Sequence, residues 1–385
     1  MYYGGFMSKP GHLDKKWKII CGIGGPFIRR IFRFEHENCA PEGPCLVIAN
    51  HVTNFDPLLL AISFGKKPMC FVASEHLFRK GWMTKVIRWL FDPIARRKGA
   101  SGMETSMAIA RKLKAGETVC LFAEGETTWD GLTQKIFPAT GNLARIPGVK
   151  LVTYRLEGGY LTAPRWANAM RKGKMRGHIV NTYTQEDLKG MNGAQITQLI
   201  DRDIFEDAWE RQKAEPVRYK GKNLAENIEV ALFACPRCKR LGTVHGVGDR
   251  VLCDCGLDVK YTEYGLFEPA EPFENMHQWE VWQQEILKTG EYVREGSKLS
   301  DEGLVLTEVT QAHGEREAAS GTLEFLPDRL KIADAEFPFG EISSMALLQR
   351  RKLVFTHNDR YYELRREKPL CMRKYLACWN NFRQN

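Results

Sequence analysis

His51 and Asp56 lie five residues apart in the stretch Asn50–Pro57, NHVTNFDP. A neutral imidazole can take a proton from an alcohol. A carboxylate beside it can hold its tautomer and stabilise the imidazolium that forms. The pair is half of a hydrolase triad without the serine, and it suits chemistry in which the substrate's own hydroxyl is the nucleophile. The same residues also fit a plainer role, with Asp56 as a helix cap and His51 as a polar turn residue. A second set is Cys235, Cys238, Cys253 and Cys255. The two close pairs stand fourteen residues apart and can supply four thiolates to one tetrahedral Zn²⁺. Four protein ligands leave no open coordination position, so such a site is structural. Free thiols are the plain alternative, iron could replace zinc, and His245 could in principle substitute as a ligand.

The elements that must position the first pair are legible around it. Cys45–Ala49 (CLVIA) is a short apolar run that reads as a buried strand. Asp56-Pro57 followed by Leu58–Ile62 reads as a helix with Asp56 at the N-cap and Pro57 at the first helical position. Met69–Ala73 predicts a second strand, and His76–Phe91 a basic amphipathic helix carrying Trp82. Ser101 to Glu104 has a capping-box pattern for a helix reaching Lys114 and closed by Ala115-Gly116. Thr118–Phe122 predicts a further strand that runs into Ala123–Thr128 (AEGETT). This alternation predicts an α/β domain with a largely parallel sheet. Loops at the carboxyl ends of such strands bind ligands. His51, Arg96 and Glu124 all follow strands, so all three could meet at one edge.

In this order and spacing the chain resembles the glycerolipid (lysophospholipid) acyltransferase family, whose type member is the 1-acylglycerol-3-phosphate acyltransferase. NHVTNFD looks like its NHxxxxD block, Pro93–Arg96 (PIAR) like the arginine block, and LFAEGETT like FPEGTRS. The resemblance spans roughly Pro44 to Tyr160. It implies that His51 is the general base and Asp56 orients it. It implies that the acceptor hydroxyl attacks the thioester of acyl-CoA or acyl-carrier protein. Arg96, with Arg97 beside it, would grip the acceptor phosphate, since an arginine fork bonds two oxygens at once. Glu124, Gly125, Thr127 and Thr128 would shape the acceptor site. Ala123 departs from the family proline, Thr127 from its arginine and Thr128 from its serine. The run Leu151–Leu156 lacks the proline of the fourth block, and Arg155 is a candidate for the charge missing at Thr127. Lysophosphatidic acid is the first-choice acceptor; other lysolipids or a lipid alcohol are alternatives.

The 385 residues suggest two or three domains. Hydrophobic content of 43% and charged content of 27% fit a folded soluble or peripheral protein. No long apolar window predicts a transmembrane helix, and the start lacks a secretory signal. The eleven cysteines do not read as an extracellular framework, so a reducing cytoplasm is expected. The net charge is +9, and Lys66–Lys114 alone carries twelve basic against three acidic side chains. That band points to anionic partners, or else to a solvated charged face. Trp17–Phe32, with Lys18, Arg29 and Arg30 among Trp, Ile and Phe, reads either as an interfacial segment broken by Gly22, Gly24, Gly25 and Pro26 or as core.

Ile196–Arg211 reads as one closing helix, and Ala214–Pro216 as a boundary. Asn275–Lys288 predicts a helix capped by Gly290. The runs 322–326, 329–332, 353–355 and 361–364 alternate apolar and polar residues, Asn358-Asp359 is a hairpin turn, and Cys371–Phe382 a last helix. This pattern resembles a small pleckstrin-homology-like barrel. The expected organisation is an acyltransferase domain over 1–215, a zinc-ribbon-like module over 216–268, a helical linker over 269–290 and a β-rich domain over 291–385. The expected protein is a phospholipid-making acyltransferase, peripheral on the cytoplasmic face of the cell membrane. Its partners would be a lysophospholipid, an acyl donor and an anionic membrane surface; the oligomeric state is left open. The rival is a zinc-ribbon module binding nucleic acid or protein on a degenerate acyltransferase fold. Nucleic acid is the weaker partner, because the basic residues cluster by the active-site motifs and not around the cysteines.

Overall fold

The central strand of the first unit is β2, Cys45–Ala49, whose five residues are all buried. A strand apolar on both faces must be covered on both, and the rest of the unit does this. The computed structural model describes residues 17–74, 85, 89, 91–96, 102–289, 299–310, 314–368 and 370–384. It divides into two compact units, one of residues 1–97, 101–164 and 171–219, the other of 98–100, 165–170 and 220–385.

In the first unit, β1 (Phe34–His36), β2, β3 (Cys70–Ser74), β4 (Ile94–Arg96), β5 (Val119–Phe122), β6 (Lys150–Glu157) and β7 (Met175–Tyr183) form one sheet in the order β1-β7-β6-β2-β5-β3-β4. Strands β6, β2, β5, β3 and β4 are parallel, and β7 runs antiparallel to β6. Leu46 and Ile48 of β2 pack with Ile109 and Leu113 of helix Met103–Lys114 and with Ile196, Ile200 and Ile204 of helix Gly193–Ile204. Helix Asp56–Ser63 covers the other face, where Tyr154 of β6 donates its hydroxyl to Ser63 Oγ at 2.7 Å and packs its ring on Phe64.

Three sequence expectations shift here. Asp56 is not the N-cap of its helix: Phe55 holds that position and Asp56 is the first helical residue, because its carboxylate turns back into the preceding loop. The single helix expected over Ile196–Arg211 is two, Gly193–Ile204 and Ala208–Ala214. The break is set by Asp207, whose side chain caps the second helix by accepting from Trp209 N and Glu210 N. Trp17–Phe32 stays helical through its glycines by opening one π-turn at Ile20–Gly24, with Pro26 in the first turn of the helix that follows. Ile19, Ile23, Phe27 and Ile31 lie four residues apart along it and are exposed, Ile23 by 78%. Most of the helix expected over His76–Phe91, the first residue of the Ser101 capping box, and Gly290 lie outside the described residues. No helix among the described residues is long and apolar enough to cross a membrane.

The second unit holds two antiparallel sheets. Strands β8 (Val244–Val247), β9 (Arg250–Cys253), β10 (Leu257–Tyr261) and β11 (Phe267–Glu268) form the first, in the order β11-β10-β9-β8. Helix Met276–Thr289 braces the chain entering it. The fully buried Gln283 accepts from Phe233 N and donates to Ala231 O, while Trp279 Nε1 donates to Ala234 O. The second sheet comprises β12 (Ser300–Val309), β13 (Glu315–Phe325), β14 (Arg329–Ile332), β15 (Ala335–Pro338), β16 (Ile342–Leu348), β17 (Lys352–His357) and β18 (Arg360–Arg366). Its order, β15-β14-β13-β12-β18-β17-β16, is followed in the chain by helix Arg373–Gln384. This is a separate antiparallel β-rich region with one C-terminal helix, as the alternation anticipates. Asn358 and Asp359 both have positive φ, 46° and 60°, and join β17 to β18 in the two-residue hairpin expected of them.

Candidate active site

β2 ends at Ala49, and Asn50 continues as though still in the sheet. Its amide donates to Leu156 O at 2.8 Å and accepts from Leu156 N at 2.7 Å. This reciprocal pair fixes where the chain leaves the sheet and so where His51 begins. The fully buried Asp56 then gathers the turn. It accepts from Val52 N (2.8 Å), Thr53 N (3.0 Å), Thr53 Oγ1 (2.7 Å) and His51 Nδ1 (2.8 Å). A carboxylate only accepts, so Nδ1 carries the proton and Nε2 presents its lone pair. The imidazole is stacked on Phe122 at a centroid distance of 4.5 Å, and the side chain is 18% exposed. A base with a set tautomer, a fixed ring plane and one open nitrogen is what abstraction of an alcohol proton needs.

The neighbouring strand supplies the support. After β5, Glu124 is 7% exposed and accepts from His51 N at 2.5 Å and from Gln134 N at 2.6 Å. Thr128 N donates to His51 O, while the Thr128 hydroxyl donates to Asp130 and accepts from Gly131 N. Both bonds that the Glu124 carboxylate makes, and those of the buried Thr128 hydroxyl, thus serve the two turns. Thr127 is buried beside them. Burial pushes the Glu124 carboxyl up from 4.5 to about 8, against the two N–H bonds that favour the ionised form. Between those values the native protein holds a proton that the unfolded chain has released. Unfolding then releases a proton, and stability falls as pH rises through the window. Urea unfolding followed by tryptophan fluorescence at pH 5 and pH 8 should show this loss in the wild type and a smaller one in Glu124→Gln. Equal losses in both would remove Glu124 as the source.

Arg96 ends β4 at the same edge of the sheet. Its guanidinium carbon stands 4.2 Å from the centroid of the Phe137 ring, and among the described residues it makes no hydrogen bond or ion pair. Burial lowers its pKa, which reflects a half-desolvated cation. Gly125 has φ +80°, and a Cβ there would come within 2.8 Å of the Phe137 ring. The structure therefore brings His51, Asp56, Glu124, Gly125, Thr127, Thr128 and Arg96 to the loops at one sheet edge. Arg97 lies outside the described residues. Arg155 is committed elsewhere, with both guanidinium bonds going to the Asp203 carbonyl at 3.0 and 2.6 Å. Asn50, Phe122, Gln134 and Phe137 are supports that sequence reasoning missed. Asn50 is next to His51 in the sequence, but its partner Leu156 is 106 residues away.

In the second unit, the four sulfurs of Cys235, Cys238, Cys253 and Cys255 lie within 4.8 Å of one another. Separations of 3.5 Å (Cys235–Cys255) and 3.9 Å (Cys238–Cys253) are too long for disulfides. They bracket the roughly 3.8 Å edge of a tetrahedron with Zn–S bonds of about 2.3 Å. The group could hold one metal ion.

Residues 31–156 match the family model described as Acyltransferase, the stretch where NHVTNFD and LFAEGETT place the resemblance. Two curated relatives, each named probable 1-acyl-sn-glycerol-3-phosphate acyltransferase, match part of the chain. That of Mycoplasma pneumoniae is 32% identical over 90 residues, 22% of this chain and 34% of the relative. That of Mycoplasma genitalium is 34% identical over 100 residues, 23% of this chain and 35% of the relative. The chain thus spans about a third of the length of the curated relatives it matches. The crystal structure of the 1-acyl-sn-glycerophosphate (LPA) acyltransferase, PlsC, from Thermotoga maritima aligns with a TM-score of 0.39 and 16% identity, over 54% of this chain and 97% of that one.

Proposed function

We propose that this chain transfers an acyl group from acyl-CoA or acyl-carrier protein to the free hydroxyl of a lysophospholipid, with 1-acyl-sn-glycerol-3-phosphate the first-choice acceptor. The His51–Asp56 pair, with its open Nε2, carries this reading. His51 Nε2 takes the acceptor's hydroxyl proton as the oxygen attacks the thioester carbonyl. The tetrahedral intermediate collapses, the ester bond forms and the C–S bond breaks. The imidazolium returns its proton to the leaving thiolate, so His51 ends neutral. Arg96 binds the acceptor phosphate: a half-buried guanidinium with its donors unspent is suited to a dianion. Glu124 and Thr128 act one step back, holding the turn that holds His51, and Gly125 and Thr127 line the acceptor site.

The exposed line of Ile19, Ile23, Phe27 and Ile31, with Lys18, Arg29 and Arg30 on the same helical run, suits an anionic membrane surface. All eleven cysteines are unpaired with one another, in keeping with a site on the cytoplasmic face. Cys235, Cys238, Cys253 and Cys255 would hold a structural Zn²⁺. Such an ion would tie the segment before β8 to the β9–β10 turn, and it takes no part in the reaction. The test is transfer of a labelled acyl group from both donors to lysophosphatidic acid and to a panel of other lysolipids. Product with lysophosphatidic acid is expected. Product only with another lysolipid would move the acceptor, and no product from any pair would end the reading.

A further inference from the structure

The segment Gln134–Phe137 belongs to none of the blocks that carry the family resemblance, yet it folds back along Ala123–Gly125. Gln134 N donates to Glu124 Oε2, Phe137 N donates to Ala123 O at 3.1 Å, and Ile136 N donates to Asp201 Oδ1 at 3.2 Å. Three backbone anchors in four residues hold it rigidly. Its last side chain, Phe137, is still 41% exposed and sets its ring face against the Arg96 guanidinium. Burial does not account for a ring left that far in solvent. Gly125 leaves the space that the ring occupies, since any side chain there would meet it.

A ring face attracts a cation without using its N–H groups. A carboxylate partner would neutralise Arg96 and take up part of its fork of donors. Phe137 instead fixes the guanidinium while leaving its donors for a ligand. The same segment grips Glu124, which in turn grips His51 N, so one short segment spaces the cation from the base. Resting on the reading above of an acyl transfer to a phosphate-bearing acceptor, we propose that Phe137 is a positioning residue. It orients Arg96 to receive the acceptor's phosphate, and Gly125 makes the room.

Binding of glycerol 3-phosphate to the full chain, measured by calorimetry at low salt, tests this without requiring turnover. Phe137→Leu should weaken binding by roughly three- to tenfold, Phe137→Tyr should restore it to near wild type, and Arg96→Met should abolish it. In acyl transfer, Phe137→Leu should raise KM for lysophosphatidic acid by a similar factor with kcat little changed. A merely structural role would lower kcat and would not be rescued by the tyrosine. Wild-type affinity in Phe137→Leu, equal losses in the leucine and tyrosine variants, or no binding by the wild type would each overturn the proposal. If this binding pattern appears and no acyl group is transferred, the role of Phe137 stands and the acyl-transfer reading falls.

Discussion

Replacing His51 by alanine should cut acyl transfer by about 10²–10⁴-fold, the range that a positioned general base contributes. What remains would come from holding the two substrates together. The fold should survive, because Asp56 keeps its three bonds from Val52 N, Thr53 N and Thr53 Oγ1. Asp56→Asn should be nearly as damaging for a different reason. An amide presents a donor to a ring of donors, so the turn loses at least one bond and Nδ1 loses the acceptor that sets its tautomer. Because Asp56 is fully buried, that variant should also lose stability, by about 1–3 kcal/mol. Initial rates and thermal melts of both variants would separate the effects: His51→Ala should melt near wild type and Asp56→Asn below it. A His51→Ala protein that is unfolded would make the histidine a structural residue.

The second large effect should come from the cysteines. Elemental analysis should find one zinc or iron per chain, and Cys235→Ser should lose it. Structural zinc binds with roughly 10–16 kcal/mol of apparent free energy. That is as large as the whole stability of an ordinary domain, about 5–15 kcal/mol. The sheet from β8 to β11 is small, with Val244, Val251, Leu257, Val259, Tyr261 and Phe267 as its buried apolar side chains besides Cys253. Removing the ion by Cys235→Ser or by a chelator should therefore unfold this module, seen as a lost or lowered melting transition. Protein that contains no metal, or a variant that melts like the wild type, would defeat the metal assignment.

What could be read along the chain was whatever the chain writes locally. CLVIA is a short run apolar on both faces, which suits a strand covered on both sides. NHVTNFDP holds both members of its dyad within six residues. The four cysteines come as two tight pairs. Asn358-Asp359 accepts positive φ and marks its hairpin. The supports of the site were not legible, because each is a contact between distant segments. Asn50 meets Leu156, Glu124 meets His51 across 73 residues, and Arg96 of β4 meets Phe137 of the loop that follows β5. The resemblance casts Glu124 as shaping the acceptor site; its carboxylate accepts from two distant backbone N–H groups, His51 N and Gln134 N, which no local pattern marks. The division of Ile196–Arg211 was missed because apolar spacing runs on through Phe205, while the decisive event is the capping bond of Asp207. Strands β12, β15 and β16 were missed as well. β12 and β13 are paired through register shifts that blur simple alternation.

In the proposed reaction His51 activates the acceptor's hydroxyl directly, with no acyl group passing through the protein. The measurement that tests it most directly is the fate of a labelled acyl group, followed in time with and without lysophosphatidic acid, in wild type and in His51→Ala. Label is expected in the lipid product only when acceptor is present, with none bound covalently to the protein at any time and almost none transferred by the variant. Label trapped on the protein in the absence of acceptor, or product from His51→Ala at the wild-type rate, would contradict it.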